Sequence, residues 1–303
     1  MPAPCAIAAP CRVLYLLAHA GRCAPLVETL RAIAAQENVA ARIFLADASR
    51  TGLGELPSDL PPVQRVRCPE TGIVSARNAI LAAAAGEDCD WVFLLDDDIV
   101  LRPECTRRLA AMLETRPDAG MAVPLLFAAE GSVLSSGGYY LRIPGQPLLR
   151  RDRPLEPRRM DFATGGIGLY RPAALAASGG FDKAFDPYGF EDIDLGLRLG
   201  RAGWTLVLDP LAQACHVTPY SFHRPTPFHL RHTTAHRLLC AWRHGHSVGF
   251  WCVFLPWFLL RRVLWPLLRR LLGGDGAAAR AIVAGVANGA KQCRAHHNQP
   301  RRR

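Results

Sequence analysis

Three adjacent aspartates, Asp96, Asp97 and Asp98, directly follow the apolar run 91–95. Adjacent carboxylates repel one another, so a fold that holds them at a strand end needs a compensating charge. A divalent cation supplies that charge, because hard cations bind carboxylate oxygens and leave coordination positions for substrate phosphates. The motif therefore indicates metal-assisted binding of a phosphorylated ligand, with a solvated acidic turn as the alternative interpretation.

A second acidic pair, Glu191 and Asp192, begins a segment in which Leu195 and Leu199 share a helical face. The segment reaches Gly200, a residue type that commonly ends helices, so we predict a helix that opens with the two acids. The helix dipole favours acids at that position. Helix capping therefore explains the pair without any chemistry.

The element that must position the three aspartates is a buried strand. The apolar run 91–95 contains Trp, Val and Phe and predicts a strand buried on both faces, as in a parallel sheet. Ligands of open α/β sheets bind beyond the carboxyl ends of such strands, which is where the aspartates stand.

Taken together, the two acidic sites resemble those of the inverting nucleotide-sugar glycosyltransferases of family 2, which have the GT-A fold. The matching pieces run in the family's order over roughly residues 11–218. They are a first strand at 12–17, a second strand at 42–49 with its Asp47-x-Ser49 ending, Gly72 with Ala76-Arg77-Asn78, Asp96-Asp97-Asp98 in place of the family's Asp-x-Asp, Thr164-Gly165-Gly166 through Arg171, Gly179-Gly180-Phe181-Asp182, and Glu191-Asp192. A lone Asp-x-Asp is weak evidence, whereas the ordered set is specific.

The resemblance implies an α/β fold with a Rossmann-like mixed central sheet and flanking helices. It implies a nucleotide-sugar half at 11–100 and an acceptor half at 101–218. The remaining residues, 219–303, are expected to form a basic, apolar helical region.

The resemblance also implies the site residues. The donor-binding residues are Asp47, Arg77, Asp96, Gly165 and Gly166, the metal ligands are Asp98, Asp96 and His216, and the catalytic residues are Asp192 and Glu191. Asp192 is the general base that takes the proton of the acceptor hydroxyl, and Glu191 binds the acceptor or orients that base. The cofactor is Mn²⁺ or Mg²⁺, of which an imidazole ligand favours Mn²⁺. A base without an enzyme nucleophile implies direct displacement with inversion.

Some of these positions have alternative interpretations. His216 ends an apolar segment and is either a metal ligand or a hydrogen-bonded structural residue. Asp97 faces the opposite side of an alternating strand and is interpreted as structural. The turn 18–22 differs from the family's usual Pro-Thr-Tyr-Asn-Arg-like sequence, so the residues do not identify the nucleotide of the donor.

Composition indicates a folded chain of 303 residues, half of them apolar, which suffices for one large domain or a domain with an appendage. The ten cysteines include no Cys-x-x-Cys spacing, and we interpret them as reduced thiols of a cytosolic protein. The apolar N-terminus has no basic residue before Arg12, which disfavours a secretory signal.

Charge is concentrated in the C-terminal region. Residues 219–303 contain 14 Lys and Arg against a single acid, Asp275, a net of +13, whereas residues 1–218 have a net of −3. Such asymmetry indicates a negatively charged partner, either a membrane surface or a nucleic acid. Eight of the ten histidines lie there too, and those at 229, 232 and 236 are predicted to form an exposed or membrane-proximal helix face.

The apolar content of this region favours the membrane over nucleic acid. The stretch 247–260 is uncharged and contains Trp251 and Trp257. Its fourteen residues fall short of a spanning helix, and Pro256 and Pro266 are expected to interrupt helices. We expect an interfacial segment whose arginines contact anionic headgroups, which makes the protein peripheral at the inner face of the cell membrane. A buried helix pair or an oligomer interface is the alternative.

Three function classes follow. The first is a metal-dependent glycosyltransferase that moves a sugar from a nucleotide-sugar donor to a glycan or lipid-linked acceptor. The second is a nucleotidyltransferase, which also uses strand-end acids and a cation, but whose Gly-rich loop after the first strand is represented only by Gly21. The third is a non-catalytic membrane-binding protein on a transferase fold, disfavoured because the acids of both halves are present.

Overall fold

A computed structural model describes residues 9–19, 23–49, 52–68, 70, 72–164, 167–218 and 225–297 of the chain. The strands are β1 (Cys11–His19), β2 (Val39–Asp47), β3 (Val63–Arg67), β4 (Trp91–Asp96), β5 (Ile99–Leu101), β6 (Ala119–Ala128), β7 (Val133–Ser135), β8 (Gly138–Leu141), β9 (Gln146–Leu149), β10 (Arg158–Met160), β11 (Gly168–Tyr170) and β12 (Thr205–His216). The helices are α1 (Cys23–Ala34), α2 (Ile73–Ala83), α3 (Cys105–Glu114), α4 (Pro172–Ser178), α5 (Glu191–Arg201), α6 (Pro227–His244), α7 (Ser247–Leu272) and α8 (Gly276–His297).

The main sheet has the strand order β10-β12-β6-β11-β4-β1-β2-β3, with β5 beside β12 and β7 beside β6. Strands β1, β2, β3 and β4 run parallel, and β6 runs parallel to β12. Strand β11 lies antiparallel between β4 and β6. This is the predicted mixed α/β sheet, in which the parallel strands end at a common edge.

Both faces of the sheet are buried, because helices cover each of them. Along β1, Leu14 and Leu16 pack in one apolar cluster with α2, whereas Tyr15 and Leu17 pack in the other with α1 and α3. Strand β4 is buried along 91–95 and becomes partly exposed only at Asp96. The prediction of a strand buried on both faces is confirmed.

The C-terminal helices share the larger of the two apolar clusters. Leu239 on α6, Phe254 and Phe258 on α7, and Ile282 on α8 are buried together with Leu14 of the central sheet. Part of the region 219–303 therefore belongs to the hydrophobic core, in agreement with the alternative prediction of a buried helix pair.

Helix α7 corrects one expectation. Pro256 and Pro266 do not interrupt it, and the helix continues over 26 residues. Each proline stands in the first turn of an α-helical section that follows wider π-type turns, at Phe250–Phe254 and Leu259–Leu264. Proline is tolerated there because its missing N–H is not needed in a first turn. By length and composition alone, the helix is long and apolar enough to cross a membrane.

Candidate active site

Three polar side chains stand at the carboxyl ends of neighbouring parallel strands. His19 ends β1 opposite Asp47, which ends β2, and Asp96 ends β4 opposite Ala18. The register of the parallel pairs thus places two of the predicted donor-binding residues at one edge of the sheet. This edge is where an open α/β sheet binds ligands.

The guanidinium of Arg77 joins the two acidic motifs. Its Nη2 donates to Asp96 Oδ1 at 2.8 Å, and its Nη1 donates to Asp192 Oδ1 at 2.8 Å and to Glu191 Oε1 at 3.3 Å. The Arg77 side chain is only 4% exposed and lies against the ring of Phe181. The predicted donor and catalytic residues therefore meet through one buried cation, a contact that sequence spacing does not show.

Helix α2 carries Arg77 and is fixed by the segment 181–186. The carboxylate of Asp186 accepts from the backbone N–H of Val74 and from the hydroxyl of Ser75, which satisfies the first turn of the helix. A Cβ at Gly72 would stand 2.2 Å from the Asp186 carboxylate, so only glycine allows this approach. Next to Arg77, Asn78 exchanges two hydrogen bonds with the backbone of Phe181.

The predicted helix that opens with two acids is confirmed as α5. It begins at Glu191 after Phe190, whose φ of 73° is unusual for a residue with a side chain. Burial and the neighbouring Asp192 raise the pKa of Glu191 above its ordinary range. Its Oε2 is buried without a hydrogen-bond partner among the described residues, whereas the Asp192 side chain is 20% exposed. Asp192 is therefore the more accessible of the two acids.

His236 holds the turn before α5, although the sequence predicted that this residue lies on an exposed helix face. Nδ1 of His236 lies 2.9 Å from the carbonyl of Tyr188 and 3.0 Å from that of Gly189. His236 is 1% exposed, so its assignment to an exposed helix face is wrong, whereas His229 and His232 are partly exposed. The reason is that α6 packs this face against the turn 186–190 rather than turning it to solvent.

A buried charge cluster fixes the far side of α5. Asp194 accepts from Nε of Arg198 at 2.7 Å and lies 2.8 Å from Nε2 of His244 on α6. Burial alone would raise the pKa of Asp194, but these partners lower it to about 2. Helix α5 is therefore held by the C-terminal region as well as by the sheet.

Asp98 and His216 meet through the pairing of β5 with β12. The backbone N–H of Val217 donates to the carbonyl of Asp98, and Nε2 of His216 lies 3.4 Å from Asp98 Oδ1. Nδ1 of His216 is 2.8 Å from the carbonyl of Thr218. That contact selects the tautomer with a proton on Nδ1 and a lone pair on Nε2, the nitrogen that faces Asp98. Backbone carbonyls fix metal-binding histidines in the same way.

These residues fit a divalent cation. Two ligands at about 2.1 Å from one ion lie roughly 3.0–3.4 Å apart at bond angles near 90–110°, which matches the Asp98–His216 separation. Among the described residues no cluster of three or more His, Cys, Asp or Glu is arranged to hold a metal. Two protein ligands suffice where substrate phosphates complete the shell, as is usual for Mg²⁺ sites.

The carboxylates outnumber the cations at this site. Asp96, Glu191 and Asp192 all pair with the single guanidinium of Arg77, and Asp98 lies 3.4 Å from Nε2 of His216. Burial raises the pKa of Asp96 to about 6 against the effect of Arg77, and the neighbouring Asp192 adds to the rise. A bound cation would relieve this excess of negative charge.

Asp47 organises the loop beyond β2. Its Oδ1 accepts from the backbone N–H of Ser49 at 2.9 Å, and its Oδ2 accepts from that of Leu53 at 2.7 Å. Partial burial opposes ionisation, yet these bonds and the Ser49 hydroxyl hold the pKa of Asp47 below its ordinary value. The other predicted donor residues, Gly165 and Gly166, and the divergent turn at 20–22 lie outside the described residues.

Asp97 contacts the residue that ends β1. Its Oδ2 lies 2.6 Å from Nδ1 of His19, and its backbone carbonyl accepts from the Thr29 hydroxyl. His19 is not among the residues predicted for the site, although its position at the end of the first strand is a signal that would have included it. Nε2 of His19 is buried without a partner among the described residues.

Comparison with known proteins identifies the family. The model of the family described as glycosyl transferase family 2 matches residues 21–176. The chain is 32% identical over 200 residues to an N-acetylglucosaminyl-diphospho-decaprenol L-rhamnosyltransferase of Mycobacterium tuberculosis. That alignment covers 59% of this chain and 64% of the relative, so the chain spans less than two thirds of the relative's length.

Solved structures with the same fold include two sugar transferases. One is GalNAc-T7 with UDP, GalNAc and Mn²⁺, with a TM-score of 0.61 at 13% identity, covering 96% of this chain and 58% of that one. The other is the mannosyltransferase PcManGT from Pyrobaculum calidifontis in complex with GDP-Man and Mn²⁺, with a TM-score of 0.55 at 15% identity. That match covers 96% of this chain and 79% of PcManGT. At these identities the likeness shows the GT-A fold, as predicted.

Proposed function

This chain belongs to glycosyl transferase family 2, and we propose that it moves a sugar from a nucleoside-diphosphate sugar to a lipid-linked glycan acceptor at the membrane surface. The observation that carries the proposal is the Arg77 bridge, which holds Asp96 of the strand-end motif and Asp192 of α5 at 2.8 Å each. A donor bound at the sheet edge and an acceptor bound at α5 would meet beside this bridge.

Asp192 acts as the general base in this proposal. The acceptor oxygen forms a bond to the anomeric carbon while the bond from that carbon to the diphosphate oxygen breaks and its electron pair leaves with the diphosphate. The acceptor proton goes to the Asp192 carboxylate, the more accessible acid of the pair. No enzyme nucleophile takes part, so the product has the inverted configuration.

Asp98 and His216 would hold the divalent cation, and Asp96, paired with Arg77, would contact the donor or the metal. When bound, Mn²⁺ or Mg²⁺ stabilises the charge that develops on the departing diphosphate. Arg77 keeps the Asp96 and Asp192 carboxylates oriented. Glu191, whose Oε2 has no hydrogen-bond partner among the described residues, would bind the acceptor or orient Asp192.

Two observations support an acceptor carried by lipid. The relative from Mycobacterium tuberculosis is named for a sugar linked through a diphosphate to decaprenol. In addition, α7 exposes large apolar side chains and carries arginines that suit anionic headgroups. The exposed apolar residues include Trp251, Leu260, Leu264, Trp265, Leu268, Leu271 and Leu272. We place the protein peripherally at the cytoplasmic face of the membrane, where nucleotide sugars are available.

The experiment that tests this function is a transfer assay with the full-length chain. Uridine, guanosine and thymidine diphosphate sugars, including deoxyhexoses, are offered with Mn²⁺ or Mg²⁺ and N-acetylglucosaminyl-diphospho lipid. Sugar transfer to the lipid by at least one donor, lost on adding a chelator, is the expected result. Nucleotide release without any lipid-linked product would contradict the acceptor assignment, and the absence of both would contradict the activity.

A further inference from the structure

Four ring side chains from two elements form a continuous strip beside the catalytic acids. The rings of Tyr188 and His229 lie 4.9 Å apart, those of Phe228 and His232 lie 4.6 Å apart, and Phe228 is 6.3 Å from Tyr188. Tyr188 belongs to the turn before α5, and the other three belong to the first turns of α6. We call Tyr188, Phe228, His229 and His232 the ring strip.

One member of the ring strip, Tyr188, lies near the acids of both motifs. Tyr188 stands three residues before Glu191, and burial raises the pKa of its phenol together with the nearby carboxylates of Glu191, Asp96 and Asp192. The backbone of Tyr188 is fixed by His236, which lies on the same helix as the other rings. Tyr188 therefore links the strip to the acids of both motifs, because it belongs to the turn that precedes α5.

The strip is also open to solvent. Phe228 is 48% exposed, and Tyr188, His229 and His232 are partly buried. A phenylalanine whose role was to pack α6 onto the core would be covered, as Phe254 and Phe258 are. An exposed aromatic ring that neighbours Tyr188 instead offers a contact surface to a ligand.

We infer that the ring strip is the acceptor subsite, in which Phe228 and Tyr188 stack on the apolar face of the acceptor sugar and the imidazoles of His229 and His232 bond its hydroxyls. This inference rests on the proposed function and names the surface that receives its acceptor. A pyranose presents C–H groups on one face and hydroxyls at its edge, so it matches a strip of rings bordered by polar atoms.

Position assigns the strip to the acceptor rather than to the donor. All four residues follow residue 176, where the match to the family model ends. Tyr188 stands four residues before the proposed base Asp192, whereas the predicted nucleoside contact Asp47 lies at the end of β2. Burial, with Arg231 and His229 nearby, lowers the pKa of His232, so its imidazole is neutral at pH 7 and suits hydroxyls better than phosphates.

The test compares Phe228→Ala with Phe228→Tyr, which keeps an aromatic ring. Leu155→Ala, at a position 92% exposed, is the control for loss of a surface apolar side chain. The donor is the nucleotide sugar that supports transfer, and the acceptor is N-acetylglucosamine diphosphate on either a long polyprenyl or a short alkyl chain. Acceptor KM, donor KM and nucleotide release to water are measured for each variant.

The expected result is a rise of roughly tenfold in acceptor KM for Phe228→Ala, as removal of an aromatic contact predicts. Donor KM and nucleotide release stay unchanged, Phe228→Tyr restores the parent value, and the rise is the same on both lipids. An unchanged acceptor KM would overturn the inference, and so would an effect confined to the long lipid, which would assign the strip to the lipid chain.

Failure of the proposed function itself gives a different pattern. In that case the parent chain transfers no sugar from any donor, and acceptor binding is measured directly by calorimetry with the short alkyl compound. Weaker binding to Phe228→Ala than to the parent would still support the strip as a glycan site. Equal binding, or none to the parent, would overturn it.

Discussion

The guanidinium of Arg77 lies between the carboxylates of Asp96 and Asp192 and donates a 2.8 Å hydrogen bond to each. Asp96 ends β4, Asp192 opens α5, and Arg77 comes from α2. One side chain thereby sets the separation of the strand-end motif from the proposed base. The planar guanidinium of arginine, which has several N–H donors, bonds two carboxylates at once better than the flexible ammonium group of lysine does.

Replacement of Arg77 should therefore affect both stability and activity. Arg77→Met leaves three carboxylates together in a buried site, and loss of one partner of a buried ion pair costs about 3–5 kcal/mol. Arg77→Lys keeps the charge but cannot bond both carboxylates with the same geometry, so we expect partial recovery of stability and little recovery of transfer. Urea unfolding and transfer rates measure the two effects.

The control for this pair is Arg107→Met, which removes an exposed arginine of α3. Its unfolding free energy should stay close to that of the parent chain. If Arg77→Met were as stable as the control, the bridge would not hold the site together.

Asp98 is predicted to be a metal ligand. Asp98→Asn should abolish cation-dependent donor binding and transfer while the melting temperature stays near that of the parent, because an amide oxygen is a weaker ligand for a hard cation. Calorimetry with Mn²⁺ and nucleoside diphosphate measures the binding. Asp88→Asn, a charge change at a side chain 81% exposed, is the control. Normal Mn²⁺-dependent donor binding by Asp98→Asn would remove this residue from the metal site.

The sequence predicted the parts of this site better than their connections. The strand at 91–95, the helix opening at Glu191 and the strand ending at His216 follow from apolar patterns and glycine positions, which are local signals. Their place at one sheet edge follows from parallel pairing. The Arg77 bridge joins residues more than one hundred positions apart, and no local pattern reports such a contact.

The C-terminal region shows the same limit. Its charge and apolar content indicated a membrane surface, but composition did not show that His236 and His244 are buried against the turn 186–190 and α5. Histidine periodicity on a helix marks a common face without saying what covers it. Likewise, Pro256 and Pro266 led us to expect breaks in the helix. The helix continues because a π-type turn precedes each proline.

His236 should make folding stability depend on pH. Burial lowers its pKa from 6.5 to about 4, although the carbonyls of Tyr188 and Gly189 favour the protonated form. Between these values the unfolded chain binds a proton that the folded chain does not, so stability is complete above pH 6.5 and declines toward pH 4. The decline amounts to as much as about 3 kcal/mol.

His236→Gln removes this titration. The variant should be less stable than the parent at pH 7 because the hydrogen bonds to the turn are weakened, and the difference should narrow as the pH falls to 5. Urea unfolding at both pH values gives the two differences. A gap that stays constant with pH would show that His236 does not titrate in this range.

Helix α7 should bind anionic membranes. Each basic residue near such a surface contributes about 1 kcal/mol, so Arg261→Gln with Arg269→Gln should weaken vesicle binding roughly thirtyfold at low salt. Salt should weaken parent binding without abolishing it, because the exposed tryptophans add an apolar contribution that ions do not screen. Co-sedimentation with neutral and anionic vesicles across a salt series measures both.

The matched control is Arg31→Gln with Arg107→Gln, two exposed arginines on α1 and α3. This pair has the same charge change and should bind vesicles as the parent does. Equal loss in both double variants would reflect net charge alone and would contradict a specific role for α7.

The most direct test of the account is the Asp192→Asn variant in single-turnover transfer, with donor affinity measured on the same protein. An amide cannot accept the acceptor proton, so transfer should fall by roughly 10²–10⁴-fold while donor and Mn²⁺ binding stay at parent values. The control is Asp118→Asn, which replaces an exposed carboxylate by an amide and should transfer sugar at the parent rate. Transfer by Asp192→Asn at the parent rate, or loss of donor binding with normal turnover at saturation, would contradict Asp192 as the base of this site.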